Sequence, residues 1–109
     1  MQPVSVVTSS QVLARYIYIV SIYAMRYTWM DEKYRDNLRR HHIAFEDAIR
    51  IFEGPTVERV DDRFDYGEVR VYAIGLVNGL EITVIYTDRD DDERRIISAW
   101  RAEAHEKRY

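Results

Sequence analysis

Residues 69–87 read VRVYAIGLVNGLEITVIYT, and this stretch decides the fold. Asn78-Gly79 is a two-residue hairpin signal, because both residues tolerate the positive φ that a tight β-turn demands. On one side Val69 to Leu76 reads as a strand; on the other Leu80 to Thr87 reads as its partner, with Leu80, Ile82, Val84 and Tyr86 alternating onto one face. Arg70 shares a face with Tyr72 and Ile74, so its charge belongs either to the end of the sheet or to a cleft on it. Thr56 to Val60 is a short strand before an acidic loop, Asp61 to Gly67. Arg95 to Ala99 is the last strand, after a run of acid from Asp88 to Glu93 that reads as a solvated turn.

Upstream the period changes from two to 3.6. Phe45, Ala48, Ile49 and Phe52 fall at i, i+3, i+4 and i+7, which predicts a helix over 43–52. Gly54-Pro55 stops it, Gly as a left-handed cap and Pro as a block. Asp31 to His41 predicts an earlier helix, with Asp31 and Glu32 in the first turn and Arg39 and Arg40 in the last, as the macrodipole favours. Tyr27 to Trp29 ends a strand that begins as early as Tyr16. Ala102 to Tyr109 predicts a last, short helix. The order β-α-α-β-β-β-β-α describes an α+β domain, an antiparallel sheet of four to five strands with two N-terminal helices and a short C-terminal helix packed on it.

The chain has 109 residues, which is room for one core. Hydrophobic residues make up 47% and charged residues 32%, a soluble balance. Cysteine is absent, which excludes disulfides, thiolate zinc sites and thiol nucleophiles. Tyr16 to Met25 is too short to span a bilayer and makes a poor signal peptide, so the domain is expected in the cytoplasm with no membrane contact. Residues 1–24 read as an extension of the domain at 25–109, either a strand that lengthens the sheet or a mis-set start upstream of Met25.

The net charge of −3 argues mildly against nucleic acid, since phosphate contacts reward excess cation. Distribution matters more. Arg35, Arg39 and Arg40 cluster in one segment and Arg94, Arg95 and Arg101 in another, and arginine is the better fork for phosphate oxygens. His41-His42 is no metal pair, because neighbours on a helix diverge. Asp88 to Glu93 lacks the glycine and spacing of a calcium loop. No metal and no cofactor is expected.

An ordered set of residues carries a family likeness. It comprises Trp29, Lys33 and Asn37 at four-residue spacing, Arg40-His41, Phe45, Ala48 and Phe52, then Gly67-Glu68, Arg70, Ile74-Gly75 and Tyr86-Thr87. It closes with Arg95-Ile96-Ile97-Ser98-Ala99, Arg101-Ala102 and Glu106. From about Arg26 to Tyr109 the chain resembles the BrnT toxins of the RelE-like ribonuclease group. It departs from their pattern in having Met30 where Asp caps the first helix, His42 in place of Gly, and Trp100 in place of an arginine.

The resemblance implies an endoribonuclease toxin that cuts RNA without a metal, inhibits translation, and is neutralised by a BrnA-type antitoxin. That antitoxin carries a ribbon-helix-helix part, so DNA is contacted only through it. Attack by a 2′-hydroxyl needs a base, an acid and cations for the phosphorane. Arg70, Arg95 and Arg101 are the candidate cations, on adjacent strands. His41, Glu106, Lys33 and Tyr109 are the candidate proton-transfer groups. Lys33, Asn37 and Arg40 are candidate RNA contacts, although Lys33 and Asn37 fit the holding of a sheet edge equally well. For His41 a helix end, which its positive form suits on electrostatic grounds alone, is the favoured reading over a general-acid role. The alternative is a catalytically weak or inactive toxin-derived module that binds the antitoxin as a corepressor, a reading that Trp100 and the acidity favour.

Overall fold

A computed structural model describes the backbone of residues 5–9 and 17–22 and the full residues 25–90 and 92–102. One seven-stranded sheet organises it: β1 (Ser5–Ser9), β2 (Ile17–Ile22), β3 (Met25–Met30), β4 (Val57–Asp61), β5 (Arg70–Val77), β6 (Leu80–Asp90) and β7 (Glu93–Arg101), in the spatial order β1-β2-β3-β7-β6-β5-β4. Two helical elements, α1 (Asp31–His41) and α2 (Phe45–Ala48), lie between β3 and β4 in the chain. Five of the strands belong to residues 25–109; β1 and β2 add a hairpin on the outer side of β3. The strand foreseen from Tyr16 to Trp29 is thus two antiparallel strands rather than one.

The sheet is mixed, not wholly antiparallel. β3 runs parallel to β7 over Arg26↔Glu93, Tyr27↔Arg94 and Thr28↔Arg95. The reason is topological. After β3 the chain crosses through the helices to the far edge, and a β4–β7 meander brings it back, so the meander sets the direction of β7 and no hairpin with β3 is involved.

The hairpin forms as foreseen. Asn78 and Gly79 have φ of 50° and 80°, the two positive values of a type I′ turn. β6 continues to Asp90, so much of the acidic run is strand, with Asp88 opposite Arg94. α1 has the expected bounds. Met30 gives its N-terminus no side-chain cap, and His42 closes its C-terminus at φ 59°, donating its N–H to Leu38 O at 3.0 Å. A histidine therefore holds the left-handed position where glycine would sit without strain.

The second helix is shorter than its periodicity suggests. α2 gives way to a 3-10 helix over Ile49–Glu53. A 3-10 turn aligns residues at i and i+3, and this brings Ile51 under Ala48, both fully buried. Gly54 is extended, with φ −131°, so the expected left-handed cap is absent and Pro55 alone blocks continuation. The foreseen C-terminal helix over 102–109 lies, apart from Ala102, outside the described residues.

The core fills the space between the helices and one face of the sheet. Trp29 packs edge-on to Phe45 at 5.7 Å and stacks on Tyr34 at 5.9 Å, with Ile49, Ile51, Val84 and Ile96 buried around them. Arg94 enters this face too, its guanidinium 3.9 Å over Tyr86 and 4.8 Å over Phe52, tied to Asp88 at 2.8 Å. At Gly75 the helix comes so near that an added Cβ would meet Ile51 Cβ at 2.8 Å. Gly75→Ala should therefore cost about 1–3 kcal/mol in urea unfolding, through overpacking rather than backbone strain.

Candidate functional site

Register decides which residues share the sheet face that α1 and α2 leave open, on which Thr28, Thr83, Ile85 and Thr87 are nonetheless buried. β6 and β7 slip between Ile85↔Ser98 and Tyr86↔Ile96, leaving Ile97 as an extra residue. Such a bulge resets the alternation of a strand. Ile96 and Ala99 both face the core as a result, while Arg95, Ser98 and Trp100 share the other face.

One row of that face carries the cations. Thr28, Arg95 and Thr87 are direct cross-strand neighbours on β3, β7 and β6. Arg70 on β5 lies one place beyond the last Val71↔Tyr86 pair, beside Thr87, whose hydroxyl donates to Val69 O at 2.7 Å. Two strand spacings put the Cα atoms of Arg70 and Arg95 about 10 Å apart, within reach of one phosphate for two long side chains. The two arginines are not on adjacent strands, since β6 separates them.

Each arginine is held by an acid. Arg70 donates from Nε to Glu68 Oε2 at 3.0 Å, and its guanidinium lies 4.1 Å over the Tyr66 ring. Tyr66 in turn donates its hydroxyl to Asp61 Oδ2 at 3.1 Å, and Asp61 also accepts from Arg63 Nε at 2.8 Å. The Arg63 guanidinium lies 5.1 Å over Tyr72. A buried acid thus fixes the ring on which Arg70 rests. Arg95 donates from a terminal nitrogen to Glu93 Oε2 at 3.1 Å and from Nε to Thr28 Oγ1 at 3.3 Å. Thr28 in turn donates its hydroxyl hydrogen bond to Glu93 Oε2 at 2.8 Å.

Lys33, Asn37, Arg40 and His41 meet elsewhere, around a cleft of about 130 Å³ between α1 and β7 that Ser98 also lines. Lys33, Arg40 and His41 are exposed; Asn37 is buried. The Asn37 amide is spent on the backbone and on Ser98, whose hydroxyl donates to Asn37 Oδ1 at 3.0 Å. Its Nδ2 donates to Ala99 O at 2.9 Å and Ile43 O at 3.1 Å, and its Oδ1 accepts from Ala99 N at 2.9 Å. Of the two roles weighed for Asn37, its geometry is that of the sheet edge. His41 lies 5.8 Å from Trp100, ring centre to ring centre, and Trp100 meets Tyr72 edge-on at 6.2 Å. The aromatic line joins the α1 cleft to the open face.

Arg101 pairs with Ile82 and so lies on the face opposite Arg70 and Arg95, exposed to solvent. Glu106 and Tyr109 lie outside the described residues. Glu93, by contrast, escaped the sequence reading. It ends an acidic run that looks solvated, and only the parallel pairing of Arg26 with Glu93 brings it beside Thr28. Among the described residues no cluster of three or more His, Asp or Glu is placed to hold a metal, and no helix is long and apolar enough to cross a membrane.

Two outcomes test this description. Asn37→Ala should destabilise the protein by about 2–4 kcal/mol, because it orphans buried backbone groups, while Lys33→Ala should stay within about 0.5 kcal/mol. Arg63, by hydrogen bonding, holds the Asp61 carboxyl below its ordinary value of 3.8. A depressed folded-state value stabilises the protein above the unfolded value, and the benefit is lost as pH falls through the folded one. Asp61→Asn should lower stability by about 1–3 kcal/mol at pH 7 and flatten the loss that the wild type shows below about pH 4.

Comparison with known proteins bears on the fold and the family. The crystal structure of the Brucella abortus ribonuclease toxin, BrnT, superposes with a TM-score of 0.53 at 26% sequence identity, covering 69% of this chain and 92% of that one. A search of curated protein sequences finds no match. The family described as "Ribonuclease toxin, BrnT, of type II toxin-antitoxin system" matches residues 29–106, and the chain belongs to that family.

Proposed function

We propose that this chain is a metal-independent endoribonuclease that cleaves RNA, inhibits translation in the cytoplasm, and is neutralised by a BrnA-type ribbon-helix-helix antitoxin. DNA is reached only through that antitoxin. One observation carries the reading: Arg70 and Arg95 stand on the same row of the open face, flanking Thr87, each held in place by a carboxylate.

Phosphoryl chemistry at RNA builds negative charge on the non-bridging oxygens as the 2′-oxygen attacks. Guanidinium forks fixed beforehand stabilise that charge without reorganising during the reaction. Glu68 and Tyr66 set the attitude of Arg70, and Glu93 with Thr28 sets that of Arg95. Arg101 faces away from this row, so Arg95 is the stronger partner for Arg70. Lys33, Arg40 and His41 line the adjoining cleft, where they suit the flanking strand of an RNA substrate.

A second reading keeps its ground because Trp100 stands where the family pattern has arginine, and because the total charge is −3. In it the chain is a toxin-derived module that binds the antitoxin as a corepressor without cutting RNA.

The two are separated by cleavage of a defined RNA in EDTA. The wild type should cut. Arg70→Ala should cut about 100-fold more slowly, and Arg101→Ala should stay within about threefold of the wild type. A wild type that leaves RNA intact, and whose induction leaves cells growing, favours the corepressor.

A further inference from the structure

We propose that Glu93 is the carboxylate that takes the proton from the attacking 2′-hydroxyl, an assignment that rests on the ribonuclease reading above. The geometry points to it in three ways. Its side chain is only 12% exposed, unusual for a residue one position from a turn in an acidic run. It stands on the open face next to the row that holds Arg95, at the junction where β3 and β7 run parallel.

The third point concerns its two oxygens. Oε2 accepts both from Thr28 Oγ1 at 2.8 Å and from Arg95 at 3.1 Å, which fixes the plane of the carboxylate. Among the described residues Oε1 has the longer ion pair to Arg26, at 3.9 Å, and no hydrogen bond. Arg26 is itself drawn away by Asp92, whose two carboxylate oxygens it reaches at 3.2 and 3.3 Å. One oxygen is anchored and the other keeps its accepting capacity, as a positioned base requires. Among the described residues the charged groups around it are Arg26 on β3, Arg95 on β7, Asp90 across on β6 and the adjacent Asp92.

In the step itself, the 2′-hydroxyl proton passes to Glu93 Oε1 as the 2′-oxygen bonds to phosphorus. The bond from phosphorus to the 5′-oxygen breaks, and its electron pair leaves on that oxygen, which takes a proton from water. The products are a 2′,3′-cyclic phosphate and a 5′-hydroxyl. Glu93 then returns its proton to the hydroxide so formed, and no metal or redox partner enters the balance.

The same guanidinium that anchors Glu93 then serves the phosphate. Arg95 binds the base through one nitrogen and stands in the cation row with Arg70, two residues along β7, so proton removal and charge stabilisation start from Cα atoms about 7 Å apart.

The test is steady-state cleavage of a defined RNA oligonucleotide by the full chain in EDTA across pH 4–9, with thermal melting as the check on folding. Glu93→Gln should lower kcat by about 100-fold or more, keep KM within about threefold, and abolish the fall of kcat on the acid side. A folded Glu93→Gln protein with kcat near that of the wild type overturns the assignment while leaving the ribonuclease reading intact. If Glu93→Gln does not fold, Thr28→Val carries the test, since it keeps the carboxylate but removes one donor to Oε2. Its kcat should fall about tenfold at unchanged KM, and an unaltered kcat overturns the assignment. A wild type that cuts no RNA at any pH removes the ribonuclease reading and Glu93's role with it.

Discussion

The amide of Asn37 stands in for a strand. β7 has β6 along one side, but on the other side β3 pairs with it only from Glu93 to Arg95 and then turns into α1. Beyond that point the edge of β7 would expose backbone donors and acceptors inside the protein, where each orphan costs about 1–3 kcal/mol. Asn37 donates to Ala99 O and accepts from Ala99 N, the pair of bonds that a neighbouring strand would give. A third bond, to Ile43 O, ties the start of the next segment to the same point. α1 is thus locked to the sheet by these bonds as well as by the packing of Tyr34 on Trp29 and Phe45, and its own sequence, charged on most faces, leaves little else to hold it.

With α1 fixed, the rest of the architecture follows. Trp29, the next-to-last residue of β3, is held under Tyr34 and Phe45, so the core begins where the strand ends. The short helix and its 3-10 continuation press Ile51 against Gly75, and the meander completes the sheet. The parallel contact of β3 with β7 then sets the open face, because it alone brings Thr28 beside Arg95 and Arg26 beside Glu93.

Local chemistry was legible in the sequence and long-range pairing was not. Asn78-Gly79 announces its turn because few other dipeptides accept two positive φ values, and α1 announces its ends through the sign of its charges. Arg70, too, was marked by a charge alternating with Tyr72 and Ile74. Gly54 misled, because a glycine before proline fits a left-handed cap and an extended stop equally well. Ile97 gave no signal at all: Ile96 and Ile97 are the same residue type, and only pairing with β6 shows which of them is extra. Glu93 was hidden by its neighbours. Asp88, Asp90, Asp91 and Asp92 make a run that reads as solvent-exposed, and the burial of its last member depends on a strand more than sixty residues away.

The bulge at Ile97 also bears on the one place where this chain departs most from its family's pattern. An arginine after Ser98-Ala99 would fall at position 100, on the open face with Arg95 and Arg70. Arg101, one place on, falls on the opposite face, and a strand cannot turn a single side chain through its own sheet without losing register. Arg101 is therefore no substitute for the missing cation, whatever its proximity in sequence. Position 100 instead carries a ring between His41 and Tyr72, extending the face from the arginine row toward the α1 cleft. The exchange trades a third charge for an aromatic surface, and on the proposed ribonuclease reading it would leave phosphate stabilisation to Arg70 and Arg95, the two guanidiniums that carboxylates hold.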